Sequence, residues 1–423
     1  MVAQCSVKQI IMDYTFIKNK RPDNCCGCEA CSYVCPKHII MMQEDHEGFV
    51  YPVVTDETKC ISCGGCEKIC PATNPTITDD SIKSFCSGHL WSDDDIRASA
   101  SGGLATAIAR SFIERLGGVV YGVAYSADCQ LICYEKASTK QDLERFRGSK
   151  YAQARKSNDG SSLFMGGKVY KSVLRDLKQG VPVLFIGLPC EIAALTNITK
   201  HRFVNLFTIE LVCHGPTSQK VHRDFLKELE EENGATISSF SVRYKNFGWK
   251  PYYIRAVFAD NAVSDYLTTF HESAYGIAFR YLKRPSCAKC NFKLGNSSAG
   301  LQADITVGDF HYAGPSLEAW NKWGSSVGYV HSDKGTQLVK LAEESFDFYE
   351  TNPIYALKSS YALAHAVKKQ INRALFSKTF VTQGLSFASS HYTVKAIDRC
   401  LKVKKMIICS LVSLRNMLRK CLR

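Results

Sequence analysis

A cysteine run that occurs twice near the N-terminus is the feature that most constrains how this chain can fold. The two runs, each followed by a proline, are Cys25, Cys28, Cys31, Cys35 and Pro36, and Cys60, Cys63, Cys66, Cys70 and Pro71. Every cysteine of the first run therefore recurs 35 residues later. This regular recurrence indicates an internal duplication of one small unit.

The spacing C-x2-C-x2-C-x3-C-P is typical of bacterial ferredoxins, in which three close cysteines bind one [4Fe-4S] cube and the fourth binds the other cube. This crossing rule predicts one cluster on Cys25, Cys28, Cys31 and Cys70, and a second on Cys60, Cys63, Cys66 and Cys35. Cys26 falls outside the pattern. Zinc sites usually pair cysteines across about a dozen or more residues, and stapling disulfides are disfavoured in reducing compartments, so two iron–sulfur clusters are the favoured interpretation.

The usage of cysteine also bears on the compartment of the protein. Residues 1–20 are predicted to form an N-terminal extension without a continuous apolar run or a small-residue cleavage site, so no signal peptide is visible. We therefore expect a cytoplasmic protein whose twenty cysteines serve metal or redox chemistry. A chain of 423 residues is expected to hold two or three units, because domains usually span ~100–200 residues.

The net charge of +13 is concentrated at the C-terminus, where residues 391–423 contribute +8. The rest of the chain need not contact a polyanion, so no nucleic-acid partner is expected. The region 352–423 is predicted to be helical and basic. Its apolar stretch 406–414 has nine residues, whereas a membrane-spanning helix needs ~20. Three interpretations stay open for this tail: peripheral contact with the inner membrane surface, contact with an acidic partner, or a terminal helix folded back on the body.

The pattern changes to alternating strands and helices after the linker PATNPTITDD. Buried strands are predicted for VVYGVAY, VPVLFI and RFVNLFTIELVC, and further strands for ADITVGDF and SVGYVHS. Helices are predicted for LATAIARSFIERL, which ends at Gly117, and for TSQKVHRDFLKELEEENG, which ends at Gly234. ISSFSVRY and YYIRAVFA are predicted to form a hairpin-type insertion. The chain is thus expected to be α+β or α/β, with a small ferredoxin-like domain followed by a larger mixed α/β domain.

Four more cysteines occupy positions that suggest a further site. Cys190 and Cys213 each follow a predicted strand and precede a helix, while Cys287 and Cys290 form a C-x2-C pair. Ligands of open α/β sheets bind beyond the carboxyl ends of the strands, so these cysteines could face one site and hold a third cluster. The alternative is that Cys190 and Cys213 are small buried hydrophobes. The remaining cysteines have no comparable context: Cys5, Cys86, Cys129, Cys133, Cys400, Cys409 and Cys421.

Together these motifs resemble the coenzyme F-420 hydrogenase/dehydrogenase beta-subunit family, which includes a chlorophyll-recycling reductase. The resemblance runs over residues 25–335 and is carried by SASGGLATAIA, RFRGSKYAQA, VLFIGLPCEIAAL, LVCHG, RPSCAKCNFK, ADITVGDF and GSSVGYVHSDKG, in that order. It implies a flavoprotein in which FAD lies beside a [4Fe-4S] cluster. It also implies that the ligands of this cluster are Cys190, Cys213, Cys287 and Cys290.

Two loops are candidates for binding the flavin cofactor: Ser101, Gly102 and Gly103, and Gly148, Ser149, Lys150 and Tyr151. The first opens a predicted helix, whose N-terminal amides and dipole suit a pyrophosphate, and the second supplies a turn, a cation and an aromatic face. Either loop could instead be a simple turn with a solvated charge. The usual G-x-G-x-x-G and phosphate-loop motifs are absent from the sequence, which disfavours familiar NAD or ATP enzymes.

The catalytic residues stay unknown, with Lys150 and His214 as candidates. His214 follows Cys213 and could assist proton transfer near the flavin, although a histidine at a helix entrance is more often structural. His38, His89 and His311 are weaker candidates than His214 for a catalytic role.

The predicted organisation is an extension over 1–20, a ferredoxin-type domain over 21–75, a FAD- and cluster-binding domain over 84–350 and the basic region over 352–423. We expect a flavin-dependent iron–sulfur oxidoreductase. It would relay electrons from a ferredoxin or another redox protein through the clusters to FAD and then to a small-molecule acceptor, either the deazaflavin coenzyme F-420 or another compound. Two alternatives are an electron-carrier subunit without substrate chemistry and a module in which the clusters only stabilise the fold.

Overall fold

The computed structural model describes residues 15–20, 22–78, 81–295 and 299–392. Most of the predicted N-terminal extension and the basic tail beyond residue 392 lie outside these residues, as do Cys5, Cys400, Cys409 and Cys421. In the part of the chain that is described, no helix combines the length and the apolar character needed to cross a membrane.

The N-terminal unit repeats one local backbone pattern. Its elements are α1 (Thr15–Lys18), α2 (Ala30–Val34), β1 (Ile40–Glu44), β2 (Val50–Val54) and α3 (Gly65–Lys68). Glu29 and Gly64, which are 35 residues apart, precede α2 and α3 with φ of 64° and 67°. Gly27 and Ser62, at the same separation, also have positive φ, of 68° and 51°. The duplication visible in the sequence is therefore also a duplication of loop conformation.

The larger unit contains an eight-stranded sheet with helices on both faces. Its elements up to α9 are β3 (Ser84–Leu90), α4 (Asp93–Ala98), α5 (Leu104–Leu116), β4 (Val119–Tyr125), β5 (Ile132–Ala137), α6 (Lys140–Leu143), β6 (Leu163–Phe164), α7 (Lys168–Lys178), β7 (Val183–Gly187), α8 (Pro189–Thr199), β8 (Leu206–Leu211) and α9 (Gln219–Asn233). The elements after α9 are β9 (Ile237–Tyr244), β10 (Tyr253–Phe258), β11 (Tyr266–Thr269), α10 (Ala274–Tyr281), β12 (Ile305–Asp309), β13 (Ser326–Val330), α11 (Asp333–Ala342) and β14 (Phe346–Tyr349).

The strand order of the large sheet is β14-β3-β13-β12-β8-β7-β4-β5. The four central strands, β12, β8, β7 and β4, run parallel to one another. All the other strand pairs of this sheet are antiparallel. Along β7, Leu184 belongs to the core beneath α5 and α11, whereas Phe185 belongs to the core beneath α7 and α8. Because neighbouring residues of a strand point to opposite faces, the two cores lie on opposite sides of the sheet. The expected mixed α/β fold is confirmed.

A second sheet, of order β11-β10-β9, packs with the C-terminal helices. The predicted hairpin of β9 and β10 is present, and β11 adds a strand that was not predicted. The last described helices are α12 (Pro353–Lys358), α13 (Tyr361–Ala364), α14 (Arg373–Gln383) and α15 (Leu385–Ser390). Phe376, Phe380 and Leu385 bury their side chains in the core beneath this sheet.

The small unit is joined to the large one by backbone pairing and by a buried carboxylate. Strand β6 of the large unit pairs with β1, with Phe164 opposite Met42. The Glu29 carboxylate accepts hydrogen bonds from the backbone N–H groups of Lys156 (2.9 Å) and Gly167 (2.8 Å). The cysteine loops are therefore fixed against the α/β body.

A buried ion pair lies beside this junction, and its removal is expected to lower the stability of the folded protein. The side chains of Lys156 and Glu191 form a salt bridge and are only 0% and 1% exposed. Replacing Lys156 by methionine would leave the Glu191 carboxylate buried without its cation, which typically costs about 3–5 kcal/mol. We expect Lys156→Met to lower the free energy of unfolding, measured by denaturant titration, by about that amount.

The matched control is Lys227→Met, since Lys227 pairs with Glu231 on the surface at 71% and 66% side-chain exposure. Exposed pairs contribute less than about 1 kcal/mol, so this variant is expected to unfold close to the parent. Equal losses in the two variants would contradict the prediction.

Candidate functional site

The first cysteine group comprises Cys25, Cys28, Cys31 and Cys70, and the structure brings all four to one small cavity. Apolar side chains such as Ile17 and Met42 line the same cavity. The ammonium group of Lys20 donates a hydrogen bond to the sulfur of Cys70 at 2.9 Å. Four thiols around an apolar space with a cation beside them suit an anionic iron–sulfur cluster.

The thiols of this group are held away from water. Burial raises the pKa of Cys25 and raises that of Cys31 well above its usual range. A hydrogen bond with Cys26, together with burial, raises the pKa of Cys28 in the same direction. A metal must therefore displace protons from these thiols as it binds, which couples loading to pH.

The second cysteine group comprises Cys35, Cys60, Cys63 and Cys66. Cys35, Cys60 and Cys66 pack around Ile39 and Ile40, and Cys66 interacts electrostatically with Cys63 and Cys35. Cys63 is exposed, whereas every cysteine of the first group is buried or partly buried. The second group is thus the more accessible of the two.

The third cysteine group comprises Cys190, Cys213, Cys287 and Cys290, which are far apart in sequence. Cys190 lies in the first turn of α8, and Cys213 lies two residues beyond the end of β8. Cys287 lies within the short 3-10 turn Pro285–Lys289, and Cys290 directly follows this turn. Cys213 interacts electrostatically with each of the other three. Burial raises the pKa of Cys287 to about 12. The structure therefore collects all four residues of this group into one site.

Cys26, which the sequence pattern leaves aside, lies between the first and third groups. Hydrogen bonding by the thiols of Cys190 and Cys28 lowers the pKa of Cys26 well below its usual range and raises the pKa of both partners, so Cys26 is the acceptor of the three. No signal in the spacing could have located this contact, because Cys190 is distant in the chain.

Among the described residues, no three His, Cys, Asp or Glu side chains are arranged to hold a single metal ion. A zinc ion draws four ligands to one point, whereas a cube distributes four thiolates over four irons. The grouping of the cysteines in fours is compatible with the second arrangement.

A cavity of about 860 Å³ lies at the carboxyl ends of the parallel strands, and we call it the strand-end cavity. Its wall includes residues that end or follow β7, β8 and β12, among them Gly187, Cys213, His214 and Asp309. Ligand pockets commonly have volumes of ~300–1,000 Å³, so a molecule of cofactor size can be accommodated. The wall shares Cys213 with the third cysteine group.

The predicted flavin loops line this cavity, and the structure separates the roles of their glycines. Ser101 and Gly103 face the cavity at the start of α5. A Cβ atom on Gly102 would lie 2.3 Å from the carbonyl oxygen of Gly88 and 2.5 Å from the amide nitrogen of Ser326. Gly102 is therefore required by close packing against β3 and β13. Gly103 precedes the helix with φ of 86°.

The second loop contributes Gly148, Ser149, Lys150 and Tyr151 to the cavity wall. The Lys150 ammonium group donates to the backbone carbonyls of Arg145 and Arg147, both at 2.8 Å. Desolvation lowers the pKa of Lys150 to about 7. Lys150 thus shapes the loop by holding its carbonyls, and its side chain is only partly charged near pH 7.

Arg243, which the sequence analysis did not identify, connects separate segments of the cavity wall through hydrogen bonds. Its guanidinium donates to Asp309 at 2.9 Å, to the Tyr151 hydroxyl at 3.1 Å and to the carbonyl of Ala100 at 2.8 Å. The neighbouring Lys245 donates to the carbonyl of Ser101 at 2.9 Å. Arg243 lies in β9, and Lys245 directly follows this strand. From the sequence alone, charged residues at these positions would be expected to face solvent.

The histidines fall into two classes. His214 and His311 line the strand-end cavity, and His311 approaches Asp309 at 3.7 Å. The His214 ring is accessible from the cavity, yet its partial desolvation, with Lys283 nearby, lowers the pKa to about 4, so the ring is neutral at pH 7. His89 bonds to the carbonyl of Leu90 and His38 is exposed, and neither lines the cavity.

Comparison with known proteins gives two family matches. Residues 24–74 match the model of the 4Fe-4S dicluster domain, and residues 181–354 match the model for the C terminus of the coenzyme F420 hydrogenase/dehydrogenase beta subunit. No curated protein matches the chain.

Among solved structures, the chain is similar to one from the F420-reducing [NiFe] hydrogenase complex of Methanosarcina barkeri, studied with xenon. The two are 16% identical, the match covers 74% of this chain and 94% of that one, and the TM-score is 0.43. The first match spans both duplicated cysteine runs, and the second spans all four residues of the third cysteine group. The chain therefore combines a segment that matches the 4Fe-4S dicluster domain with a segment that matches the C terminus of the coenzyme F420 hydrogenase/dehydrogenase beta subunit.

Proposed function

We propose that this chain is a flavin-dependent iron–sulfur oxidoreductase that carries electrons from a ferredoxin or another redox protein to a small-molecule acceptor. The observation that carries the proposal is the position of Cys213, which belongs both to the third cysteine group and to the wall of the strand-end cavity. A cofactor in the cavity would thus lie beside the third group. When bound, [4Fe-4S] clusters supply one-electron transfer and FAD converts between one- and two-electron chemistry.

Each cysteine group has a distinct task in this proposal. The second group, with its exposed Cys63, offers the approach for an external donor. The first group is enclosed and lies next to the third through Cys26. The chain therefore orders three sites from the surface toward the strand-end cavity.

The residues of the cavity would hold FAD through charge and shape. The first amides of α5, after Gly103, suit the pyrophosphate, and Gly148 leaves room beside it. Tyr151, which stacks on Phe279 with ring centroids 4.5 Å apart, offers an aromatic wall. Arg243 keeps these pieces in place through its bonds to Tyr151 and Asp309.

His214 is the candidate for positioning the acceptor. Its ring is neutral at pH 7 because its pKa lies at about 4, so it can orient a substrate by hydrogen bonding. The acceptor is a small two-electron compound, of which the deazaflavin coenzyme F-420 is the first to test.

The iron content of cysteine variants tests the third cluster. The protein purified without oxygen is expected to contain about twelve irons and one FAD, because each cube holds four irons. Cys190→Ala is expected to lose about four of these irons while the first two clusters stay. Iron, sulfide and flavin analysis gives the numbers.

Cys86→Ala is the matched control, since Cys86 is a buried thiol of β3 that packs in the core beneath α5. It should retain the iron of the parent. About eight irons and no flavin in the parent would instead indicate an electron carrier without substrate chemistry and would contradict the proposal.

A pair of substitutions at Gly148 tests the flavin site. Gly148 has φ of 74°, and a Cβ atom built there meets nothing within 4 Å. Asn and Asp tolerate this conformation better than most residues and have nearly the same shape, so Gly148→Asn and Gly148→Asp differ mainly in charge. The carboxylate should repel the phosphates of FAD and weaken binding roughly tenfold relative to the amide, about 1.4 kcal/mol.

The dissociation constant of FAD for each variant is measurable by fluorescence titration of deflavinated protein. Equal affinities in the Asn and Asp variants would show that Gly148 does not face the phosphates.

A further inference from the structure

The outward face of α14 carries exposed aliphatic side chains, which we call the α14 row: Ile371, Leu375 and Val381. Ile371, in the turn before the helix, is 98% exposed, and Leu375 is 62% exposed. Val381 continues the row beyond Lys378 and is also exposed. Residues three or four positions apart share one face of a helix, so the row runs along one side of α14. Exposed apolar residues that occur singly are ordinary, whereas a contiguous row marks an interaction surface.

The opposite face of α14 is fixed in the core. Phe376 and Phe380 are buried beneath the second sheet. The Arg373 guanidinium donates to the Glu47 carboxylate at 2.9 Å, and the Ser377 hydroxyl donates to the same carboxylate. The helix is therefore apolar on two sides, of which the inner one is packed and the outer one is exposed.

The charge around the α14 row is positive. Residues 351–392 contain no aspartate or glutamate, and their five cations are Lys358, Lys368, Lys369, Arg373 and Lys378. Arg373 turns inward to Glu47, whereas Lys368, Lys369 and Lys378 are exposed. The segment 391–423 adds a further +8 to this end of the chain. An anionic partner is therefore complementary to this surface.

Glu47 and Glu228 are carboxylates from other elements that contact this region, and both are already engaged. Glu47 pairs with Arg373. Glu228 of α9 accepts hydrogen bonds from the backbone N–H groups of Leu385, at 3.0 Å, and Ser386, at 3.2 Å. These bonds place Glu228 at the start of α15, which is the end of α14 remote from Ile371. The lysines near Ile371 thus keep their charge available to a partner.

This combination of residues favours a lipid surface over a protein surface. Protein interfaces are depleted of lysine and enriched in aromatic residues and arginine. Helices that lie on anionic membranes instead combine an apolar face with lysines, whose stems follow the apolar surface while the ammonium groups stay in water. We propose that the α14 row docks the protein on an anionic phospholipid membrane, with Ile371 and Leu375 inserted between the lipid headgroups. The row does not line the strand-end cavity, so this inference is independent of the proposed function.

Tyr361 extends the docking surface from α13. Its side chain is exposed, and the Lys368 ammonium group lies 5.5 Å from the centre of its ring. A tyrosine combines an apolar body with a polar hydroxyl, which suits the boundary between lipid headgroups and water. Lys368, Lys369 and Lys378 would meet the lipid phosphates around the row.

The test is co-sedimentation of the anaerobically purified full chain with vesicles. One set of vesicles consists of phosphatidylcholine, and the other is an equal mixture of phosphatidylcholine and phosphatidylglycerol. The parent is expected to bind only the mixed vesicles. Added salt is expected to release it, because salt screens the attraction between the lysines and the anionic lipid.

Two double variants separate the apolar part of the surface from the charged part. Ile371→Ser/Leu375→Ser is expected to bind the mixed vesicles about tenfold more weakly, because two aliphatic side chains no longer leave water on binding. Lys368→Gln/Lys369→Gln is also expected to bind about tenfold more weakly, and its binding should depend less on salt.

The matched controls change the same kinds of residue elsewhere. Val204→Ser removes an aliphatic side chain that is 87% exposed in the loop before β8. Lys171→Gln/Lys178→Gln removes two exposed cations of α7. Both controls should bind like the parent. Every variant changes exposed positions and should keep the iron content and the thermal unfolding of the parent, so weaker binding would not reflect unfolding.

Four results would overturn the inference. The first is a parent that ignores the mixed vesicles, which would leave an acidic protein as the occupant of this surface. The second is equal binding to both kinds of vesicle, and the third is a loss in the control variants as large as that in the α14 variants. The fourth is unchanged binding of Ile371→Ser/Leu375→Ser, because the basic residues alone would then explain the attraction.

Discussion

The shared edge at which the parallel strands end is the constraint on which the rest of the site depends. Strands β7, β8 and β12 run parallel, so the residues that follow Gly187, Leu211 and Asp309 all emerge at that edge. This edge places Cys190 and Cys213 within one group, and it forms one wall of the strand-end cavity. The helix α8 starts directly after β7, with Pro189 in its first turn, which fixes Cys190 at the entrance. One topological feature thus links the third cysteine group to the strand-end cavity.

The second requirement is that the small unit stays fixed against this edge. Buried charges achieve this at a desolvation cost that complete hydrogen bonding must offset. Arg284 is 2% exposed and donates to the carbonyls of Cys25 and Val50 as well as to Gln153. Glu29, 1% exposed, accepts from the backbone of Lys156 and Gly167. These bonds join backbone atoms of one unit to side chains of the other, so distances between cysteine groups are set by rigid contacts.

Local patterns in the sequence were sufficient for much of this account. The duplicated runs predicted a duplicated fold, and the strands β4, β7, β8, β9, β10, β12 and β13 follow the predicted segments within a few residues. Their apolar runs and the glycines that end the helices are local signals. The strands β1, β2, β3, β5, β6, β11 and β14 were not predicted. All of these except β1 and β3 are edge strands, and the two-residue β6 above all carries little apolar periodicity of its own.

The residues that long-range packing brings to the site were not predictable in the same way. Arg243 and Arg284 are cations in segments whose charges suggest solvent exposure, and both are buried because their partners come from distant parts of the chain. Cys26 falls outside the ferredoxin pattern, and nothing in the sequence predicts that it interacts with Cys190. The ligand assignments of the first and second groups, in contrast, need only spacing.

The central claim is that the cysteine groups and the strand-end cavity form one electron path, and a stepwise reduction tests it most directly. Oxygen-free protein is reduced with a one-electron donor such as dithionite while flavin absorbance and the paramagnetic signals of the clusters are recorded together. The account predicts that the flavin bleaches as the clusters fill and that it becomes fully reduced with the same donor. A flavin that stays oxidised while all clusters are reduced would contradict it.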